Sequence, residues 1–333
     1  MSASTRLHPW DERGRSTPRL TLNLQVAARI MAMTSLAIET TGLTKQFKGV
    51  AAVDALDLRV PEGKIYGFIG PNGSGKSTTM KMLLGLCRPT AGQACVLGET
   101  ISTRPSKQLM HTVGAMIEAP SGYAHLTGEE NMKIMQRCLR LTDHQVARAL
   151  DTVHLTKHRK KLVKHYSMGM KQRLGIAMAL ARDPKLLILD EPTNGLDPAG
   201  IDEIRHLLIQ LAGSGVTVFV SSHLLDEMDK MVDVLGIIMR GKMIFQGTRE
   251  ELLGRSMPDV IVHASDPEAV LAIVPNAVRE PSGAVRLAGL HQQAAATLLS
   301  YLVTHGIEVY EFSRAHQTLE DVFLDLTGEG GLR

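Results

Sequence analysis

Cysteine is scarce in this 333-residue chain. Its three cysteines, Cys87, Cys95 and Cys138, form neither a C-x-x-C pair nor any metal-ligating spacing. A disulfide framework and a cysteine metal site are therefore excluded, and the thiols read as small core hydrophobes in a reducing compartment. No run of 18 apolar residues occurs, so the chain has no segment expected to span a membrane by itself. The formal net charge is only +3, too small to imply a nucleic-acid partner, and none is expected. Internal repeats and low-complexity tracts are absent as well. What remains is an ordinary globular composition, 44% hydrophobic and 21% charged, long enough for one large or two modest domains.

The first 33 residues lack lysine and the apolar core of a signal peptide. Arg6, Arg13, Arg15, Arg19 and Arg29 lie among Ser, Thr, Pro and Gly, opposed only by Asp11 and Glu12. Residues 1–34 read as a flexible N-terminal extension. A transit peptide, or a start assigned too early with Met31 or Met33 as the true one, are the other readings.

The rest of the chain is organised around Gly70-Pro71-Asn72-Gly73-Ser74-Gly75-Lys76-Ser77-Thr78, a G-x-x-x-x-G-K-S pattern. The β-prone Ile65–Ile69 precedes it and a helix-compatible segment from Thr79 to Leu84 follows. A phosphate-binding loop needs that context. Its glycines let successive N–H groups turn inward on an anion, and the following helix adds the positive end of its dipole. Lys76 then reaches the β- and γ-phosphates, and Ser77 offers its hydroxyl to Mg²⁺.

Upstream, Leu36–Glu39 and Val53–Val60 alternate and end in Pro61-Glu62-Gly63, which predicts antiparallel strands closed by a tight turn. Phe47 stands among Lys45, Gln46 and Lys48; stacking on an adenine ring and a partly buried core position both fit it. Downstream, Gly92–Gly98 and Val113–Ile117 read as strands, the second ending at Glu118 and closed by Pro120. Helices are expected over Gly128–Arg140 and Asp143–Leu150. The basic cluster Lys157-His158-Arg159-Lys160-Lys161 reads as a solvated face or as a contact for an acidic partner or lipid headgroups. Ser167 is a suitable N-cap for a helix running to Arg182.

Lys185–Leu189 is the apolar type of strand buried in a parallel sheet, and it ends in Asp190-Glu191. Neighbours on a strand point to opposite faces, so the two carboxylates divide the work. Asp190 can hold Mg²⁺ directly or through water, and Glu191 can polarise an attacking water. Asp197-Pro198 starts a helix, Val216–Ser222 is the next strand, and His223 lies just past its end. Ligands of parallel α/β sheets bind beyond the carboxyl ends of strands, where Glu118, Asp190, Glu191 and His223 all fall. Val234–Met239 and Met243–Phe245 read as a hairpin. From about 258 a new alternation suggests a small α+β domain, roughly ferredoxin-like: strand 260–262, helix 267–274, strand 284–287, helix 292–304, strand 307–310 and helix 319–326.

Over residues 35–250 this ordered set of motifs resembles the nucleotide-binding subunit of ATP-binding cassette transporters. The phosphate loop, Tyr166-Ser167-Met168-Gly169-Met170-Lys171-Gln172-Arg173, the segment Leu186–Glu191 (the Walker B strand), Gly195-Leu196-Asp197 and the switch His223 stand in the family's order. The resemblance implies an α/β fold of the P-loop NTPase cassette type, over residues 35–252, with a parallel or mixed core sheet. An antiparallel β subdomain and a helical subdomain at about 125–182 belong to it, and a small α+β accessory domain covers 253–333. It implies Mg²⁺-dependent ATP hydrolysis by Glu191 and His223. ATP is bound by Phe47 and residues 70–78, and Mg²⁺ is placed at Ser77, Asp190 and Glu118. Two copies are implied, Ser167 and Gly169 of each touching the other's ATP, on the cytoplasmic face of the cell membrane beneath a separately encoded multi-span permease.

Two departures stand out. The usual L-S-G-G-Q has Met168 and Met170 at its third and fifth positions, and the residue after Ile117, usually Gln, is Glu118. Both departures, and the ending Thr318-Leu319-Glu320-Asp321-Val322-Phe323, resemble exporters of bacitracin, lantibiotics and drugs. A peptide, antibiotic or other amphiphilic cargo is expected. The other readings are import, and a non-transport cassette acting on DNA, ribosomes or cofactor assembly. The span of about 90 residues between Ser77 and Ser167 and the single phosphate loop disfavour the non-transport reading.

Overall fold

The computed structural model describes residues 35–101, 105–118, 122–254, 259–274, 277–315, 319, 322 and 323. The expected extension over 1–34, Pro120 and most of the helix expected over 319–326 lie outside them. The first strands, β1 (Leu36–Phe47), β2 (Val50–Leu56) and β3 (Arg59–Pro61), are antiparallel. The single strand expected over 53–60 is divided. Thr40, buried on β1, donates through Oγ1 to the Leu56 carbonyl (2.7 Å) and accepts from the Leu58 amide (2.9 Å). This hydroxyl takes the place of ladder bonds at the break between β2 and β3.

Strand β4 (Ile65–Ile69) leads through the phosphate loop into helix α1 (Lys76–Leu83), and β5 (Ala91–Val96) with β6 (Glu99–Thr100) completes the antiparallel sheet. Helix α2 (Lys107–Thr112) and strand β7 (Val113–Met116) come next. Three helices follow: α3 (Gly128–Leu139), α4 (Asp143–Thr152) and α5 (Met168–Leu180). Thr127 and Thr142 form capping boxes with Glu130 and Gln145, and Ser167 caps α5, so each start is written locally. Between α4 and α5 the basic cluster is exposed, while Val163 and Tyr166 are buried. The Tyr166 hydroxyl donates to the His158 carbonyl (2.9 Å), and a Cβ on Gly128 would meet the tyrosine's own hydroxyl oxygen at 2.3 Å. Only glycine fits there.

The chain then forms β8 (Leu186–Leu189), α6 (Pro198–Gly213), β9 (Thr217–Ser222), α7 (Leu225–Asp229), β10 (Val234–Met239), β11 (Lys242–Gly247) and α8 (Arg249–Leu253). The central sheet has the order β11-β10-β4-β9-β8-β7, parallel except for β11, which pairs with β10 through a turn with positive φ at Arg240 and Gly241. Strands β4, β8 and β9 are buried throughout. Their residues alternate between two cores. Tyr66, Phe68, Leu186, Ile188 and Phe219 pack with the antiparallel sheet and α1. Ile65, Ile69, Leu187, Leu189, Val218 and Val220 pack with residues of the helices.

The last described sheet is built from β12 (Val260–Ala264), β13 (Val278–Arg279), β14 (Val285–Leu287) and β15 (Val309–Arg314), with helices α9 (Pro267–Ile273) and α10 (Gln292–Thr304) in the connections. Its order, β13-β14-β12-β15, and its β-α-β-β-α-β succession are those of a ferredoxin-like unit. The sequence reading lacks β13, two exposed residues with no alternation to betray them. Leu319 and Val322 are fully buried and belong to the core of the central sheet and its helices, apart from the core around β12 and α10.

Phe219 lies between Tyr66 and Phe68, with ring centroids 5.5 and 5.4 Å away, and all three are fully buried. Phe219→Ala is expected to lower stability by about 3–5 kcal/mol, measured as a reduced urea midpoint of the far-ultraviolet circular dichroism signal.

Candidate functional site

The carboxyl ends of β4, β8 and β9 converge on the phosphate loop. The loop is pinned from two sides and closed on itself: the Gly70 amide donates to the Ser222 carbonyl (3.2 Å), the Gly241 amide to the Ser74 carbonyl (2.9 Å), and, within the loop, the Ser74 amide to the Pro71 carbonyl (3.1 Å). Gly75 has φ +109°, and a Cβ there would stand 2.5 Å from the Ala52 carbonyl. Ser74 is buried, Gly75, Ser77 and Thr78 are half-buried, and Pro71, Asn72 and Gly73 are exposed. Lys76 is only 5% exposed. Its Nζ donates to the carbonyls of Gly70 (2.6 Å) and Pro71 (3.3 Å) and pairs with Glu191 Oε1 at 3.3 Å.

Past the end of β8 at Leu189 the two carboxylates diverge through a change of backbone conformation at Glu191, not through the strand alternation expected from the sequence. Asp190 is buried, and its Oδ1 accepts from Ser221 Oγ (2.6 Å). Glu191 sits at φ +49°, a left-handed conformation that costs a non-glycine residue roughly 1–2 kcal/mol. Its Oε2 lies 2.7 Å from His223 Nδ1. Lys76, Glu191 and His223 thus form one continuous chain of contacts, with Asp190 next to it in sequence.

The other expected site residues lie around this centre. Phe47 ends β1, half-exposed and outside the cores, with Lys45 Nζ 5.0 Å from its ring centroid. Its hairpin partner β2 places the Ala52 carbonyl against Gly75, so the hairpin is anchored to the loop. Glu118 follows β7 at φ +66°, largely exposed, and bonds to Lys81 in the last turn of α1. The Lys81 ammonium holds the Glu118 carboxyl below the usual carboxylate range, and the same bond raises Lys81. Ser167 is exposed at the start of α5, and its hydroxyl accepts from the Met170 amide (3.3 Å). Among the described residues no hydrogen bond or ion pair joins Ser167 or Gly169 to residues 70–78.

Three contacts escape a reading of the sequence. Ser221 touches both carboxylate residues, since it also accepts from the Glu191 amide (3.0 Å). Thr193 Oγ1 donates to Glu227 Oε2 (2.7 Å), tying the turn after Glu191 to α7. Lys81 is the third. The only local hint is Ser221-Ser222, two polar residues closing an apolar strand.

The family pattern described as ABC transporter matches residues 53–194. A bacitracin transport ATP-binding protein, BcrA, from Bacillus licheniformis is 39% identical over 89% of this chain and 99% of its own length. The chain belongs to the ATP-binding cassette transporter family. The daunorubicin/doxorubicin resistance ATP-binding protein DrrA of Streptomyces peucetius is 37% identical, covering 88% of this cassette chain and 92% of DrrA. The structure of cbiO1 from Clostridium perfringens, part of the ABC transporter complex cbiONQ, aligns with a TM-score of 0.61 at 26% identity, over 66% of this chain and 91% of cbiO1.

The cassette fold and the ATPase activity of the family therefore apply here. The site fits a triphosphate: Ser74 Oγ is buried without a hydrogen-bond partner among the described residues, and the lysine and the loop amides form a donor set for an anion. Ser77 and Asp190 carry hard oxygen donors of the kind that would suit Mg²⁺.

The Lys81–Glu118 pair sets a pH prediction. A carboxyl with a depressed folded-state pKa contributes stability above its unfolded pKa, and that contribution is lost as pH falls through the folded value. Lys81→Gln should bring the Glu118 titration back up toward its ordinary range near 4.5, followed by carbon-13 NMR of the side-chain carboxyl.

Proposed function

We propose that this chain is the Mg²⁺-dependent ATPase subunit of an exporter, pairing with a second copy of itself beneath a separately encoded multi-span permease at the cytoplasmic face of the membrane. The observation that carries the hydrolytic reading is the contact chain Lys76–Glu191–His223 at the mouth of the phosphate loop. Lys76 and the loop amides bind and orient the phosphates. Glu191 accepts the proton of the attacking water at Oε1, while His223 at Oε2 keeps the carboxylate turned toward that position. Ser77 and Asp190 would hold Mg²⁺, with Glu118, which pairs with Lys81, as the third acidic or hydroxyl group assigned to it; the ion would supply Lewis-acid neutralisation of phosphate charge. Ser167 and Gly169, at the exposed start of α5, would meet the ATP bound by the second copy, where helix N–H groups favour an anion. Phe47, exposed on its hairpin, would stack on the adenine.

The exporter assignment is supported by relatives named for bacitracin transport and for daunorubicin/doxorubicin resistance. An amphiphilic antibiotic or peptide is the cargo class we infer. Among the described residues no helix is long and apolar enough to cross a membrane, so the path for cargo is assigned to the partner.

Glu191→Gln should keep nucleotide binding and lose turnover by about 10²–10⁴-fold, the usual worth of a general base. Steady-state phosphate release and size-exclusion chromatography with ATP check this: wild-type turnover removes Glu191 from its role, and an ATP-dependent dimer supports pairing. For the exporter assignment, purification of the full chain from gently solubilised native membranes should retain a stoichiometric multi-span protein. Retention of only soluble proteins or nucleic acid would move the chain to the non-transport class.

A further inference from the structure

We propose that Ser221, the penultimate residue of β9, is a positioning residue that couples the two carboxylate residues of the hydrolytic site; the proposal rests on the ATPase reading above. Ser221 is fully buried. Its Oγ lies 3.0 Å from the Glu191 amide and 2.6 Å from Asp190 Oδ1. A hydroxyl has one proton, and an amide N–H can only donate, so the direction of both bonds is set. The Glu191 N–H donates to Ser221 Oγ, and Ser221 donates to Asp190.

Two consequences follow for the site. Asp190 is held by one oxygen, Oδ1, and among the described residues no hydrogen bond engages Oδ2, so a metal, if bound, would find that oxygen uncommitted. The backbone of Glu191 is held at its amide, where φ is +49°. The direction of its side chain toward Lys76 and His223 depends on that backbone conformation. The strand carrying Ser221 serves the rest of the site as well, because the Ser222 carbonyl accepts from Gly70 and His223 meets Glu191. An apolar side chain at 221 leaves a partly buried N–H without an acceptor and a buried carboxylate oxygen without its donor. Residues that orient a site through its ligands commonly alter metal affinity or activity by about 10–100-fold.

The test uses the full chain with Ser221→Ala and Ser221→Thr, each checked for folding by circular dichroism. S221A should lower kcat by about 10–100-fold, a larger effect than any rise in the KM for ATP. It should also shrink the Mg²⁺-dependent gain in affinity for trinitrophenyl-ATP, measured by fluorescence with and without the ion. S221T, which keeps the hydroxyl, should restore both. A folded S221A with wild-type kcat and wild-type Mg²⁺ gain overturns the proposal. Should S221A fail to fold, S221T decides: near-wild-type values of both readouts support it, and a folded S221T that has lost them overturns it. Normal hydrolysis by Glu191→Gln would instead sink the ATPase reading at Glu191, and the Mg²⁺ gain in nucleotide binding would still judge Ser221.

Discussion

The ammonium of Lys76 is almost wholly removed from water, and a buried charge persists only where hydrogen bonds and an opposite charge replace its hydration. Two carbonyls of its own loop and one carboxylate supply them. This requirement shapes much of the site. The loop must double back so that Gly70 and Pro71 face their own lysine, which places glycine at Gly75 where the loop meets Ala52. The carboxylate must come from another strand, so β8 has to lie within one strand of β4, with β9 between them. Glu191 in turn needs His223 at its other oxygen, and His223 is available because it follows β9 directly. One ammonium therefore ties together the ends of three parallel strands.

That dependence explains why so much of the centre is legible in the sequence. The loop glycines, the lysine, the paired carboxylates and the histidine each sit at the end of an apolar strand, and chain direction alone places such ends together. Helix starts are legible for a related reason, since Thr127, Thr142 and Ser167 bond within three residues of themselves. Contacts between distant parts of the chain behave differently. Thr40 splits a strand by bonding 16 and 18 residues away, and nothing in Val53–Val60 itself announces the break. Strand β13 is two exposed residues, below any detectable period. Leu319 and Val322 read as part of the small terminal unit because they follow it in sequence, yet their burial is against the larger core. Ser221 and Lys81 are missed for the same reason, since their partners lie 30 to 37 residues away.

Glu118 shows how structure refines a charge argument. A carboxylate near a triphosphate is unfavourable unless an ion or a donor offsets it. Here the donor is Lys81, on the helix that begins at the phosphate loop. An exposed pair of this kind adds little to stability. Its effect is geometric: it links the end of β7 to α1, the helix that begins at the phosphate loop. Glu118 and Glu191 both adopt positive φ at the ends of sheet strands. Side chains leaving a strand in that conformation depart from the alternation of the sheet, which is how acidic groups on adjacent strands β7 and β8 are sent to different partners, Lys81 and Lys76.

The two methionines that interrupt the usual signature have opposite surroundings. Met168 is 47% exposed on the first turn of α5, whereas Met170 packs against the central core. Neither changes the cap, because the Ser167 hydroxyl accepts from the amide of residue 170, a backbone group that any side chain there supplies. Gly169, between them, has open space around it, the nearest atom to an added Cβ being Leu196 Cδ2 at 3.8 Å. The helix N-terminus thus keeps its exposed serine and its small residue, and the substitution at 170 is absorbed by packing. What Met168 adds is an apolar side chain on a surface that the pairing model covers with a second copy, where its burial would add to the contact and leave the hydrogen-bonding groups of the turn unaltered.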